Sequence, residues 1–122
     1  DLDGFKSVND LHGHAAGDTV LKEAADRMAR AIRVSDVAAR LGGDEFAVLL
    51  LETDLDGAQA VAEALVESLS LPYPKIRVAV SASIGIAVYP QSGGTMLQLL
   101  ERADVALYRA KGLGKRRVAS DG

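Results

Sequence analysis

Asp1, Asp3, Asn9, Asp10, His14 and Asp18 crowd the beginning of the chain, a density of short polar side chains that helix propensity would not select. Carboxylates suit hard cations. Mg2+ typically takes one or two of them together with phosphate oxygens, so a magnesium nucleotide is the economical ligand for such a cluster. The same residues have a simpler use, with Asp3 capping a short helix from Gly4 and Asp18 capping a longer one. A second candidate is Gly42-Gly43-Asp44-Glu45-Phe46. Its glycines permit a tight turn that a ligand can approach, and the next two carboxylates point to opposite faces of a strand. An ordinary hairpin with solvated acids fits that pattern too. At the far end, Arg109, Lys111, Lys115, Arg116 and Arg117 form a basic run that no acid interrupts. It suits phosphate, or merely the negative end of a helix dipole.

The elements that must position these groups follow from composition and periodicity. With 122 residues, 48% hydrophobic and 25% charged, the chain can bury one core, so a single domain over 1–122 is expected. The absence of Cys excludes disulfides, thiolate nucleophiles and sulfur-ligated zinc, and two His leave metal chemistry to carboxylates. Fourteen Lys and Arg against 17 Asp and Glu give a net charge of -3, which disfavours broad nucleic-acid binding. No apolar run approaches the roughly 20 residues of a membrane helix and no signal-peptide pattern opens the chain, so a cytoplasmic location is expected.

Val20, Leu21, Ala24, Ala25, Met28 and Ile32 recur at steps of three and four, predicting a helix over 17–33 with Lys22, Asp26, Arg27 and Arg30 off its apolar stripe. Val37 to Leu41 and Glu45 to Leu51 read as antiparallel strands joined at the glycines. A helix over 56–69 follows, with Asp54 and Asp56 as possible caps. Period-two alternation then predicts one strand from Ile76 to Tyr89. Thr95 opens a last helix with Leu97, Leu100, Ala103, Leu107 and Ala110 on its apolar side, closed by Gly112 and Gly114. Val118 and Ala119 suggest a terminal edge strand. This order predicts an α+β fold, a mostly antiparallel central sheet with helices packed on it.

Five segments together resemble the GGDEF domain of bacterial diguanylate cyclases. They are Asp1-Leu2-Asp3-Gly4-Phe5-Lys6-Ser7-Val8-Asn9-Asp10, Gly13-His14 with Gly17-Asp18, Leu41-Gly42-Gly43-Asp44-Glu45-Phe46, Ser83-Ile84-Gly85-Ile86-Ala87, and Ala103 to Lys111. The resemblance implies a ferredoxin-like, nucleotide-cyclase palm-type βαββαβ core and condensation of two GTP into cyclic di-GMP, by two domains meeting as a two-fold homodimer. It implies Mg2+ or Mn2+ held by Asp1, the Leu2 carbonyl and Asp44. Asp44 is also the candidate to help deprotonate the attacking hydroxyl, and Glu45 supports the site. Asn9 and Asp18 match guanine-binding positions, where a carboxylate can accept two adjacent N–H donors that adenine lacks. His14, Gly42, Gly43, Lys111 and Lys115 match other GTP-binding positions, whereas Phe5 and Leu21 read as core.

Lys115 is a departure, because the family usually has arginine there, and lysine keeps the charge without the bidentate fork. Arg33-Val34-Ser35-Asp36 matches the family's RxxD product site, implying cyclic di-GMP as inhibitor as well as product; the second arginine of some members has no counterpart around Ala64. Family domains normally begin earlier, with a helix and a loop. The chain is therefore expected to be a piece of a longer protein, with fused sensor or phosphodiesterase domains. A non-catalytic module that binds GTP or cyclic di-GMP and regulates an attached domain is the alternative.

Overall fold

The computed structural model describes residues 1–121 and runs β1 (Leu2–Asp3), α1 (Phe5–His12), α2 (His14–Ala31), β2 (Val37–Gly42), β3 (Glu45–Leu49), α3 (Leu55–Leu69), β4 (Ser81–Ala82), β5 (Ile84–Ile86), α4 (Met96–Gly112) and β6 (Val118–Ser120). Ladders β1–β4 and β2–β3 are antiparallel, and β5–β6 is parallel. A backbone hydrogen bond from Leu2 N–H to the Asp44 carbonyl joins β1 to the β2–β3 turn, while Ser83 N–H to the Asp1 carbonyl extends the β1–β4 ladder and Ile84 N–H to the Arg117 carbonyl extends β5–β6. The expected α+β class is therefore observed, with short ladders in place of a long continuous sheet.

Apolar periodicity explains the main core. Val20, Leu21, Ala24 and Met28 of α2 meet Leu65 and Leu69 of α3 over Leu2, Val80 and Ala82, and Phe5 and Leu21 are core residues as expected. Helix α3 begins where predicted, with the Asp54 carboxylate accepting from Gly57 N–H at 2.8 Å. Helix α2 begins earlier than predicted, at His14, because Gly13 takes a positive φ of 89° that ends α1 and restarts the chain. Asp18 thus lies inside α2 and does not cap it. Arg27, expected off the apolar stripe, is buried; its guanidinium donates to the carbonyls of Ser68, Leu71 and Pro72 and lies 3.9 Å over the Tyr73 ring. A charged side chain is tolerated there because it caps the end of α3.

Two further expectations change. The single strand over 76–89 becomes β4 and β5, because the chain exchanges partners at Ser83: β4 pairs with β1, while Ile84 turns to the segment leading into β6. In α4, Leu97 is 67% exposed and Leu100 38% exposed, and the buried residues are Ala106 and Ala110. Gly85 explains the rotation: a Cβ there would lie 2.0 Å from the Ala103 carbonyl oxygen and 2.4 Å from Leu107 N. Helix and strand approach so closely that only small side chains fit between them. Among the described residues no helix is long and apolar enough to cross a membrane.

Candidate active site

Strand β1 brings the start of the chain to the glycine turn. Leu2 is buried in the core and its N–H bonds the Asp44 carbonyl at 3.2 Å, so Asp1 stands beside the turn. One Asp1 carboxylate oxygen pairs with Lys111 Nζ at 2.6 Å. The other, Oδ1, is buried without a hydrogen-bond partner among the described residues.

The turn itself is held open. Gly43 adopts φ 51°, a left-handed conformation that L side chains rarely adopt, and a Cβ at Gly42 or Gly43 would meet nothing within 4 Å. Arg40 Nε closes the turn from beneath by donating to the Gly43 carbonyl at 2.9 Å. Asp44 is half-buried, Glu45 is exposed, and Phe46 packs against the core, so the two carboxylates do differ in environment.

Asp3 does something else. It does not cap α1, whose N-cap Gly4 makes no side-chain bond. Its buried carboxylate accepts from the hydroxyls of Ser81 and Ser83 at 2.9 Å and from Arg116 N–H at 3.2 Å. Lys115 and Arg116 both have positive φ, 65° and 48°, so this carboxylate holds an unusual backbone turn in the basic loop. Asp3 is saturated; Asp1 has an oxygen to spare. Lys111 ends α4 near Asp1, and Lys115 is exposed on the loop that follows.

Asn9 and Asp18 are brought together by a close helix crossing. A Cβ at Gly17 would fall 1.9 Å from Asn9 Oδ1, so the Asn9 amide lies over Gly17, next to the exposed Asp18. His14 is exposed at the first position of α2. These residues lie on α1 and the first turns of α2.

Arg33 and Asp36 form a separate feature beyond the end of α2. The Asp36 side chain is 2% exposed and accepts from Arg33 N, Nε and Nη2 and from Leu51 N–H. Arg33 Nη2 also donates to the Leu51 carbonyl and to Thr53 Oγ1. Both backbone groups of Leu51 are engaged in this way, so β3 ends at Leu49, two residues before the predicted end. The hydrogen bond from the Arg33 side chain, then that from Leu51 N–H, lowers the Asp36 carboxyl to about 2. The Arg33 side chain remains 58% exposed.

Sequence reasoning missed Arg40, Ser81, Ser83 and the bracket role of Asp3. The one available signal was Ser81 and Ser83 on the same face of an otherwise apolar strand. Among the described residues no group of three or more His, Asp or Glu is arranged to hold a metal. The donor set is two carboxylates, Asp1 and Asp44, beside a backbone strand. That set, with one buried carboxylate oxygen unpartnered, fits Mg2+, which keeps waters and takes phosphate oxygens for its remaining positions.

The family model for the diguanylate cyclase GGDEF domain matches residues 1–117. The bifunctional diguanylate cyclase/cyclic di-GMP phosphodiesterase MucR of Pseudomonas aeruginosa is 49% identical over 117 residues, 94% of this chain but 17% of that protein's length. The crystal structure of the GGDEF domain of YfiN (or TpbB) from the same species superimposes with a TM-score of 0.92 at 40% identity, covering 100% of this chain and 78% of that one. The GGDEF domain of DgcB from Caulobacter crescentus, solved in complex with c-di-GMP, gives a TM-score of 0.83 at 31% identity, covering 99% and 74%. With the family model matched over residues 1–117 and the fold shared with solved GGDEF domains, the chain belongs to the GGDEF domain family and is a homologue of diguanylate cyclases.

Proposed function

We propose that residues 1–122 form one GGDEF unit that condenses two GTP into cyclic di-GMP and two pyrophosphates, each unit of a two-fold dimer holding one GTP. The observation that carries this reading is the Asp1 carboxylate, with one oxygen on Lys111 and the other buried and unpartnered, fixed beside the turn that supplies Asp44. Asp1, the Leu2 carbonyl and Asp44 would hold Mg2+ or Mn2+. When bound, the metal neutralises phosphate charge and stabilises the pyrophosphate leaving group.

The chain's own residues supply the rest. Asn9 and Asp18 receive guanine with His14, and the open backbone of Gly42 and Gly43 lets phosphate approach. Lys111 and Lys115 bring positive charge to the β- and γ-phosphates. Each new bond forms as a 3'-oxygen attacks the α-phosphorus of the GTP across the dimer. Asp44 accepts the hydroxyl proton as pyrophosphate departs, with Glu45 supporting the turn. One unit presents half of this arrangement, and juxtaposing two GTP in line can supply roughly 7 to 11 kcal/mol of the barrier reduction. Arg33, its fork steadied by Asp36 and its plane exposed, is suited to stack on guanine of the product and restrain the enzyme.

The test is to fuse the chain to a dimerising coiled coil, incubate it with GTP and Mg2+, and assay cyclic di-GMP against Asp44→Ala. Product from the parent and none from the variant is expected; no product from either, with GTP still bound, overturns the cyclase reading in favour of a nucleotide-binding module. Arg33→Ala should weaken cyclic di-GMP binding, and unchanged binding removes the product site.

A further inference from the structure

We infer that Lys111 competes with the metal for Asp1 until a triphosphate draws the lysine away, so that metal and nucleotide enter together. The inference rests on the proposed metal role of Asp1. The Lys111–Asp1 pair is short, at 2.6 Å, and sheltered, with the carboxylate side chain 11% exposed and the lysine 34%. The nearest other carboxylate on β1, Asp3, is already saturated by Ser81, Ser83 and Arg116 N–H. Among the described residues, Asp1 is the carboxylate that Lys111 pairs with.

A divalent ion and an ammonium cannot share one carboxylate without repelling each other. A free metal that takes the unpartnered Asp1 oxygen must therefore compete with the charge of the Lys111 ammonium on the other. A nucleotide changes this balance, because its phosphates offer Lys111 a richer acceptor within the reach of a flexible four-carbon stem. The carboxylate is then exposed just as phosphate oxygens arrive to complete the metal's shell. By linkage, each ligand strengthens the binding of the other.

Mn2+ alone is the probe, its free fraction counted by electron paramagnetic resonance on the full chain, without nucleotide and then with a non-hydrolysable GTP analogue. Lys111→Gln should bind free Mn2+ about tenfold more tightly than the parent, the effect expected from removing one close competing charge, while Lys111→Arg should not. The advantage that nucleotide confers on Mn2+ binding should shrink by a similar factor in Lys111→Gln. Equal or weaker binding of free Mn2+ by Lys111→Gln overturns the inference. A second readout needs no variant: the Lys111 ammonium resonance in the parent should shift when the GTP analogue is added without metal, and an unmoved resonance is equally fatal. Asp1→Asn separates the two levels. If it leaves Mn2+–nucleotide binding intact, the metal role of Asp1 fails; if it abolishes that binding while Lys111→Gln has no effect, only the gating by Lys111 fails.

Discussion

Replacing Gly85 by alanine tests whether the contact between α4 and β5 sets the position of Lys111. The added Cβ would stand 2.0 Å from the Ala103 carbonyl oxygen, 2.4 Å from Leu107 N and 3.0 Å from Leu107 Cα. These are backbone atoms of a helix and cannot rotate aside, so α4 must withdraw by about 1 Å before the contact becomes tolerable. Overpacking of this kind costs about 1 to 3 kcal/mol, felt along the seam that buries Ala106, Ala110 and Ala119. Lys111 lies one turn beyond Leu107, and a shift of about 1 Å in a positioning element can lower activity roughly 100-fold. Urea denaturation should show a lower midpoint at unchanged slope, with GTP affinity reduced in parallel. Gly94→Ala is the control, since a Cβ there meets nothing within 4 Å. Equal midpoints and equal GTP affinity for the parent and Gly85→Ala would refute the packing argument.

Arg27→Met should destabilise the fold by about 3 to 5 kcal/mol in the same denaturation assay, because three carbonyls lose a charged donor and Glu23 its partner; Arg27→Lys should restore only part of the loss. Asp3→Ala should leave the Arg116 amide unpaired and speed its hydrogen exchange, and unchanged protection would remove the bracket. The Asp36 carboxyl is lowered in the fold from 3.8 to about 2, so its stabilising contribution is complete above pH 4 and is lost as pH falls towards 2. Asp36→Asn should flatten the acid limb of the stability curve between those values, and an identical limb in parent and variant would contradict this origin.

The helices were legible because period and caps agree with burial: Asp54 and Thr95 cap α3 and α4 through their side chains, and Val20, Leu21, Ala24 and Met28 meet the core. The hairpin and its glycine turn were legible for similar reasons. The strand over 76–89 was misread because alternation records which face is buried and is silent about which neighbour supplies the hydrogen bonds; the exchange of partners at Ser83 leaves no mark on periodicity. The expected α4 face holds at Ala103, Leu107 and Ala110, and differs at the helix start, where Leu97 and Leu100 are exposed, and at Ala106, which is buried though it was not expected on that face. At the site, Asp1 and Asp3 look alike in sequence and differ through partners far along the chain, Lys111 for one and Ser81, Ser83 and Arg116 for the other.

The bracket at Asp3 spans 113 positions, from the first strand to the basic loop. Anything that requires that loop in place must therefore wait until the chain through residue 117 has left the ribosome. Contacts this distant in sequence also form late in refolding. A nascent chain that ends before Arg116 should thus lack the backbone turn that Asp3 holds.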